Sequence, residues 1–210
     1  VTGVGSDILL TLDANNSVLL RDVEGVHFDD GTVTAVDLAV NLPHSLAGTT
    51  GDDTLTGGSS DDTLSGLAGD DSLVGLGGND QLDGGPGDGR LDGGDGNDTL
   101  AGGTGDDRLF GGTGDDLLLP GTGHNTVDGG SGNDTVQIDA LRSAFTVSLV
   151  EGDLQLSSGG LLYLLHAVEA VQFGDQLQSY AQLLAASGLN LVGTAGGDRL
   201  VGGASNDTLQ

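Results

Sequence analysis

Aspartate recurs in this chain in a nine-residue frame, and that recurrence is the first sign of chemistry. Asp53, Asp62, Asp71, Asp80, Asp98, Asp107, Asp116 and Asp134 share the frame, with Gly89 and Asn125 at the two places where aspartate is missing. Carboxylates are hard oxygen donors, and the glycines around them allow turns whose carbonyls converge on one centre. Such a donor set suits Ca²⁺, which takes six to eight oxygens at about 2.3–2.6 Å. Mg²⁺ dehydrates reluctantly and fits a dry carbonyl cage poorly. Zinc favours His and Cys. This chain has no cysteine, and His27, His44, His124 and His166 are scattered.

The aspartates belong to a tandem repeat. Three consecutive units read GGDGNDTLA, GGTGDDRLF and GGTGDDLLL. Upstream in the same frame lie GTTGDDTLT (from Gly48), GGSSDDTLS, GLAGDDSLV, GLGGNDQLD and GGPGDGRLD. Downstream lie PGTGHNTVD and GGSGNDTVQ, which completes ten units over residues 48–137. Position six carries the aspartate. Position eight is Leu55, Leu64, Leu73, Leu82, Leu91, Leu100, Leu109, Leu118, Val127 and Val136. Position seven is mixed. Alternate residues of a strand face opposite ways, so position eight is core and position seven is solvent. One unit turns the chain and a second brings it back, so unit n stacks on unit n+2.

These units resemble the RTX (repeats-in-toxin, haemolysin-type) calcium-binding repeat, G-G-x-G-x-D-x-U-x with U apolar. The resemblance implies an all-β fold, a parallel β-roll with small mixed β-rich flanking segments. Two sheets would lie back to back over a narrow Leu/Val core, with turns piled along both edges. It also implies several bound Ca²⁺ ions. The expected ligands are the position-six residues named above, Asn125 included, with the turn glycines Gly75, Gly78, Gly93, Gly94, Gly96, Gly111, Gly112 and Gly114. RTX proteins generally leave the cell by type I secretion, so an extracellular or cell-surface location follows from the resemblance.

The two edges differ. Even units place Asp62, Asp80, Asp98, Asp116 and Asp134 on one edge, all aspartate, with four gaps between the five residues. Odd units place Asp53, Asp71, Gly89, Asp107 and Asn125 on the other. We expect the even edge to bind calcium more fully, with the odd edge weakest around Gly89, where the adjacent Asp88 can reach in. Leu117 and Leu119, with Val74 and Phe110 on the other sheet, make apolar outward positions that need a cover: either residues 138–192 fold back over one of these clusters, or the cluster meets a neighbouring module.

Composition points the same way. A net charge of −27 excludes nucleic acid and anionic membrane as electrostatic partners and favours cations. With 41 glycines among 210 residues, a chain lacking counter-ions resists collapse. No apolar run approaches the roughly 20 residues of a membrane span. There is no HExxH, no GxSxG and no nucleophile–His–acid spacing, so the chain is not itself read as an enzyme.

The expected organisation is a flanking segment (1–47), the roll (48–137), a spacer (138–192) and the start of a second array (193–210). Strands are expected at 7–12, 17–23, 145–150, 153–157 and 161–165, a turn at 29–31, and a short helix at 179–187. VEGVHFDDG at 23–31 aligns with VEAVQFGDQ at 168–176, and at the same offset GTTGDDTLT falls on GTAGGDRLV. We read this as a large tandem unit of spacer plus array. That reading favours an adhesin-like parent, with neighbouring modules as partners. The non-catalytic region of an exported protease, lipase or polysaccharide-modifying enzyme is the alternative. Asp198 and Asp207 open the second array and lack stacked partners, so poor sites are expected there.

Overall fold

The computed structural model describes residues 43–187. Expectations for 7–12, 17–23, 29–31 and the array from Gly193 fall outside the described residues. In chain order, strands β1 (Ser45–Ala47), β2 (Thr54–Thr56), β3 (Thr63–Ser65), β4 (Ser72–Gly77), β5 (Gln81–Asp83), β6 (Arg90–Asp95), β7 (Thr99–Ala101), β8 (Arg108–Thr113), β9 (Leu117–Leu119), β10 (His124–Ser131) and β11 (Thr135–Ile138) alternate between two sheets. Neighbours within a sheet are parallel and one coil apart: Leu55 pairs with Leu73, Leu64 with Leu82, Leu100 with Leu118. The expected β-roll is the observed fold, and unit n rests on unit n+2.

The physical reason is the period. A nine-residue unit allows one short strand and one turn, so each strand offers one inward side chain at position eight. All ten of these residues are at most 2 % exposed, and together they form the seam between the sheets. Full burial of each is worth about 1.5–3 kcal/mol. The stack also reaches beyond the array. β1 pairs with β3 upstream of Gly48, placing His44 in the register of position six.

Residues beyond 137 extend both sheets. β12 (Thr146–Val150), β13 (Asp153–Ser158) and β14 (Leu161–His166) join the sheet of β10, with β14 parallel to β10 and the other pairings antiparallel. β15 (Ala170–Phe173) pairs in parallel with β11, and β16 (Leu177–Ser179) returns antiparallel. Helix α1 (Tyr180–Ser187) follows, with Leu183 and Leu184 buried. The strands expected at 145–150, 153–157 and 161–165 and the helix at 179–187 are present. β15 and β16 had no expectation.

The expected cover by 138–192 is a correction. The described part of this segment, residues 138–187, stacks on the end of the roll and does not fold back over Leu117, Leu119, Val74 or Phe110. Phe110 is covered from within its own sheet, where the Arg90 guanidinium lies 4.6 Å from the ring centroid. Leu117 and Leu119 remain half-buried between neighbouring strands.

Two position-two leucines are strained. Leu67 and Leu76 have φ of +77° and +80°, where most other units carry glycine, and are 47 % and 50 % exposed. The left-handed region costs an L-residue roughly 1–2 kcal/mol. The extra freedom glycine gives the unfolded chain offsets about 0.4–1 kcal/mol of that. Leu76→Gly is therefore expected to stabilise the calcium-loaded chain by about 0.5–1 kcal/mol, read as a higher urea midpoint at unchanged m.

Candidate metal centre

Position-six side chains form a ladder along each edge. On the even edge, the backbone N–H of Asp62 donates to Asp80 Oδ1 (2.7 Å), Asp80 to Asp98 (2.7 Å), Asp98 to Asp116 (2.8 Å) and Asp116 to Asp134 (2.9 Å). On the odd edge, Asp53 donates to Asp71 (2.8 Å), Gly89 to Asp107 (2.7 Å) and Asp107 to the Asn125 side-chain oxygen (2.8 Å). One carboxylate oxygen thus ties successive coils together. All these side chains are buried.

The second oxygen has no such use. Oδ2 of Asp71, Asp80, Asp98, Asp107, Asp116 and Asp134 is buried without a hydrogen-bond partner. A buried carboxylate oxygen left unpartnered is costly, which makes it the place to look for a missing positive charge. Each points at the space beside the first glycine of its own unit. A side chain there would meet the carboxylate and a carbonyl from the next coil. Beside Gly93 these are Asp98 Oδ2 and Gly111 O, and beside Gly111 they are Asp116 Oδ2 and Gly129 O. Carboxylate and carbonyl oxygens thus converge on spaces that only glycine leaves open. Among the described residues no group of three or more His, Cys, Asp or Glu gathers to hold a metal. Backbone carbonyls must therefore supply much of any coordination here, which suits a hard, high-coordination cation.

A family model for the RTX calcium-binding nonapeptide repeat matches residues 47–82, 56–91, 83–118, 121–137 and 190–210. The chain belongs to this family. No curated protein matches it.

Within this RTX roll, the expected site residues divide by role. The position-one glycines Gly75, Gly93 and Gly111 border the oxygen-lined spaces. Gly78, Gly94, Gly96, Gly112 and Gly114 have positive φ, and an added Cβ on each would strike the backbone of the preceding coil. Their glycine identity thus follows from coil stacking alone. Asp53 and Asp62 are in the ladders, but their Oδ2 atoms accept the N–H of Thr49 and Gly58. The expectation that Asp88 reaches in at Gly89 is corrected: Asp88 is exposed, and its Oδ1 accepts the N–H of Asp106.

That contact belongs to a second ladder which the sequence reading missed. Position-five side chains accept the N–H one coil later: Asp52 from Asp70, Asp61 from Asn79, Asp70 from Asp88, Asn97 from Asp115. The signal was there, since position five is Asp or Asn in nine of the ten units. The ladder ends were missed as well. His44 donates its N–H to Asp62 Oδ1, Glu169 Oε2 accepts from Asp134, and the Tyr163 hydroxyl donates to Gly121 O.

Burial pushes the carboxyls of Asp80, Asp107 and Asp116 up to about 6. The backbone N–H each accepts acts against the rise, and neighbouring aspartates add to it. Asp71 and Asp98 shift upward for the same reasons, as does Asp134, where Glu169 is the first of the neighbouring carboxylates. The unfolded value is about 3.9. Without a cation, these groups favour folding most below that value, and the contribution is lost as pH rises through about 6. With a cation bound, protonation competes with the metal and the slope reverses. Metal-stripped protein is expected to gain β-sheet circular dichroism between pH 7 and 4, while calcium-loaded protein loses stability over the same range. Parallel slopes in the two states would contradict this account.

Proposed function

We propose that the chain is a calcium-binding structural module of a secreted protein, folding when it meets extracellular calcium. The observation that carries this reading is the column of buried carboxylate oxygens, in register and without hydrogen-bond partners. An RTX roll is a structural, calcium-binding module and is non-catalytic in itself. Extracellular modules bind calcium in the range of about 10⁻⁴–10⁻³ M. Each site held at ten times its Kd adds about 1.4 kcal/mol, so several sites add roughly 5–10 kcal/mol. A whole domain's stability is of that size. A chain unfolded in the calcium-poor cytosol could pass an exporter and fold outside. The internal alignment of 23–31 with 168–176 supports a tandem, adhesin-like parent over the non-catalytic region of an exported enzyme. Among the described residues no helix is long and apolar enough to cross a membrane.

On this reading Asp62, Asp80, Asp98, Asp116 and Asp134 hold about four Ca²⁺ ions between them along the even edge. The odd edge, with Asp53, Asp71 and Asp107, binds fewer. Gly89 supplies no carboxylate, and Asn125 turns an unpartnered NH₂ group toward the place an Oδ2 takes elsewhere. Circular dichroism of the full chain is expected to show a β-rich spectrum in millimolar calcium and a coil spectrum after chelation. A folded array in chelator would refute the mechanism. Calcium anomalous scattering is expected to show a filled even edge and a gap near Gly89. Equal occupancy of both edges would remove the distinction.

A further inference from the structure

The even edge does not end with the last nonapeptide. β15 pairs with β11 so that Thr135 faces Ala170 and Val136 faces Val171. Val171 therefore takes a core position, where it is buried, and Glu169 takes position six. Glu169 Oε2 accepts the Asp134 N–H at 2.8 Å, as Asp134 Oδ1 accepts the Asp116 N–H at 2.9 Å. The space beside Gly129 is bounded by Asp134 Oδ2 and the carbonyl of Ala167. One coil earlier, Asp116 Oδ2 and the carbonyl of Gly129 bound the space beside Gly111 in the same way. Ala167 has φ of +46°, a left-handed residue in a turn without the repeat's glycine. Asp134 is 1 % exposed, and its Oδ2 has no hydrogen-bond partner.

We infer that Glu169, the Asp134 carboxylate and the Ala167 carbonyl form a further calcium site, which closes the even edge with a ligand from outside the nonapeptide repeats. The inference rests on the stacked turns being calcium sites. Residues 138–189 fall outside the regions that the family model matches, so the repeat pattern does not supply this ligand. The donors are all oxygen, and Glu169 adds one carboxylate to the one that Asp134 shares with the preceding gap. The odd edge ends differently. Tyr163 stands in register with Asn125 and donates its hydroxyl to Gly121 O at 2.7 Å. That end is neutral and closed by a hydrogen bond, with no carboxylate facing another. The glutamate recurs in the sequence: Glu24 and Glu169 occupy matching places in VEGVHF and VEAVQF, and Glu151 is the chain's one other glutamate.

The test is Glu169→Gln in the full chain, with Glu151→Gln as the charge control. Glutamine can still accept the Asp134 N–H, so a purely structural cap survives while the ligand charge is lost. Calcium counted by equilibrium dialysis is expected to fall by one ion per chain in E169Q and to be unchanged in E151Q. Equal counts in wild type and E169Q overturn the inference and leave the module reading intact. No binding by wild type overturns both. If E169Q does not fold, a calcium anomalous map of wild-type crystals decides. A peak between Asp134 and Glu169 supports the site, and peaks elsewhere on that edge with none there overturn it.

Discussion

Repulsion between carboxylates held in register is the constraint on which this roll depends. Each coil places an aspartate directly above the last, buried, with one oxygen committed to the neighbouring backbone and the other facing the next turn. In a low-dielectric interior such charges interact far more strongly than in water. Every coil added brings one more. A divalent cation between coils would convert that accumulating penalty into an attraction, so on the proposed reading the length of the stack and the metal content grow together. The upward shift of the buried carboxyls expresses the same conflict from the proton's side.

The rest of the unit follows from this geometry. Position one is glycine in every unit but the one that opens at Pro120, because a side chain would occupy the space where carboxylate and carbonyl oxygens converge. Position four, glycine in every unit but that of Ser60, has a different reason: Gly96 has φ of +133° and packs against the Gly78 carbonyl one coil below. Position five is Asp or Asn because its side chain accepts the N–H of the coil above, while position six accepts that of the coil below. Adjacent residues of similar chemistry thus carry ladders that run in opposite directions. The exposed one knits the surface, and the buried one faces the oxygen-lined spaces.

The fold was legible in the sequence because its period is short and its inward residue is almost invariant. Leu55 to Val136 at position eight set the core, and the two-unit coil set the pairing of Leu64 with Leu82. The site was legible as far as the repeat frame extended. It was not legible at Asp88, whose direction depends on a donor eighteen residues away in Asp106. Nor was it legible at Glu169, where a hairpin intervenes and the step from Asp134 is 35 residues. The cover of Phe110 was not legible either, because Arg90 lies one coil away in the same sheet. In each case the deciding contact joins residues remote in sequence.

An in-register parallel stack has no internal reason to stop, so its end must be built. Here the pairing changes sense at the C-terminal side: β12 with β13, β13 with β14 and β15 with β16 are antiparallel. That change removes the coil register another nonapeptide would need. Helix α1 then lies against β12 and β16, the outermost strands of the two sheets, with Leu183 and Leu184 buried. Terminal repeats of solenoids need such caps, since a bare end exposes both an apolar seam and unpaired backbone. The cap must also resolve the charge at the end of each edge, and it does so in two ways. Tyr163 supplies a hydroxyl where the odd edge is already neutral at Asn125, and Glu169 supplies a carboxylate where Asp134 still faces outward with an unpartnered oxygen. A cap shaped only by packing would have no reason to tell the two edges apart.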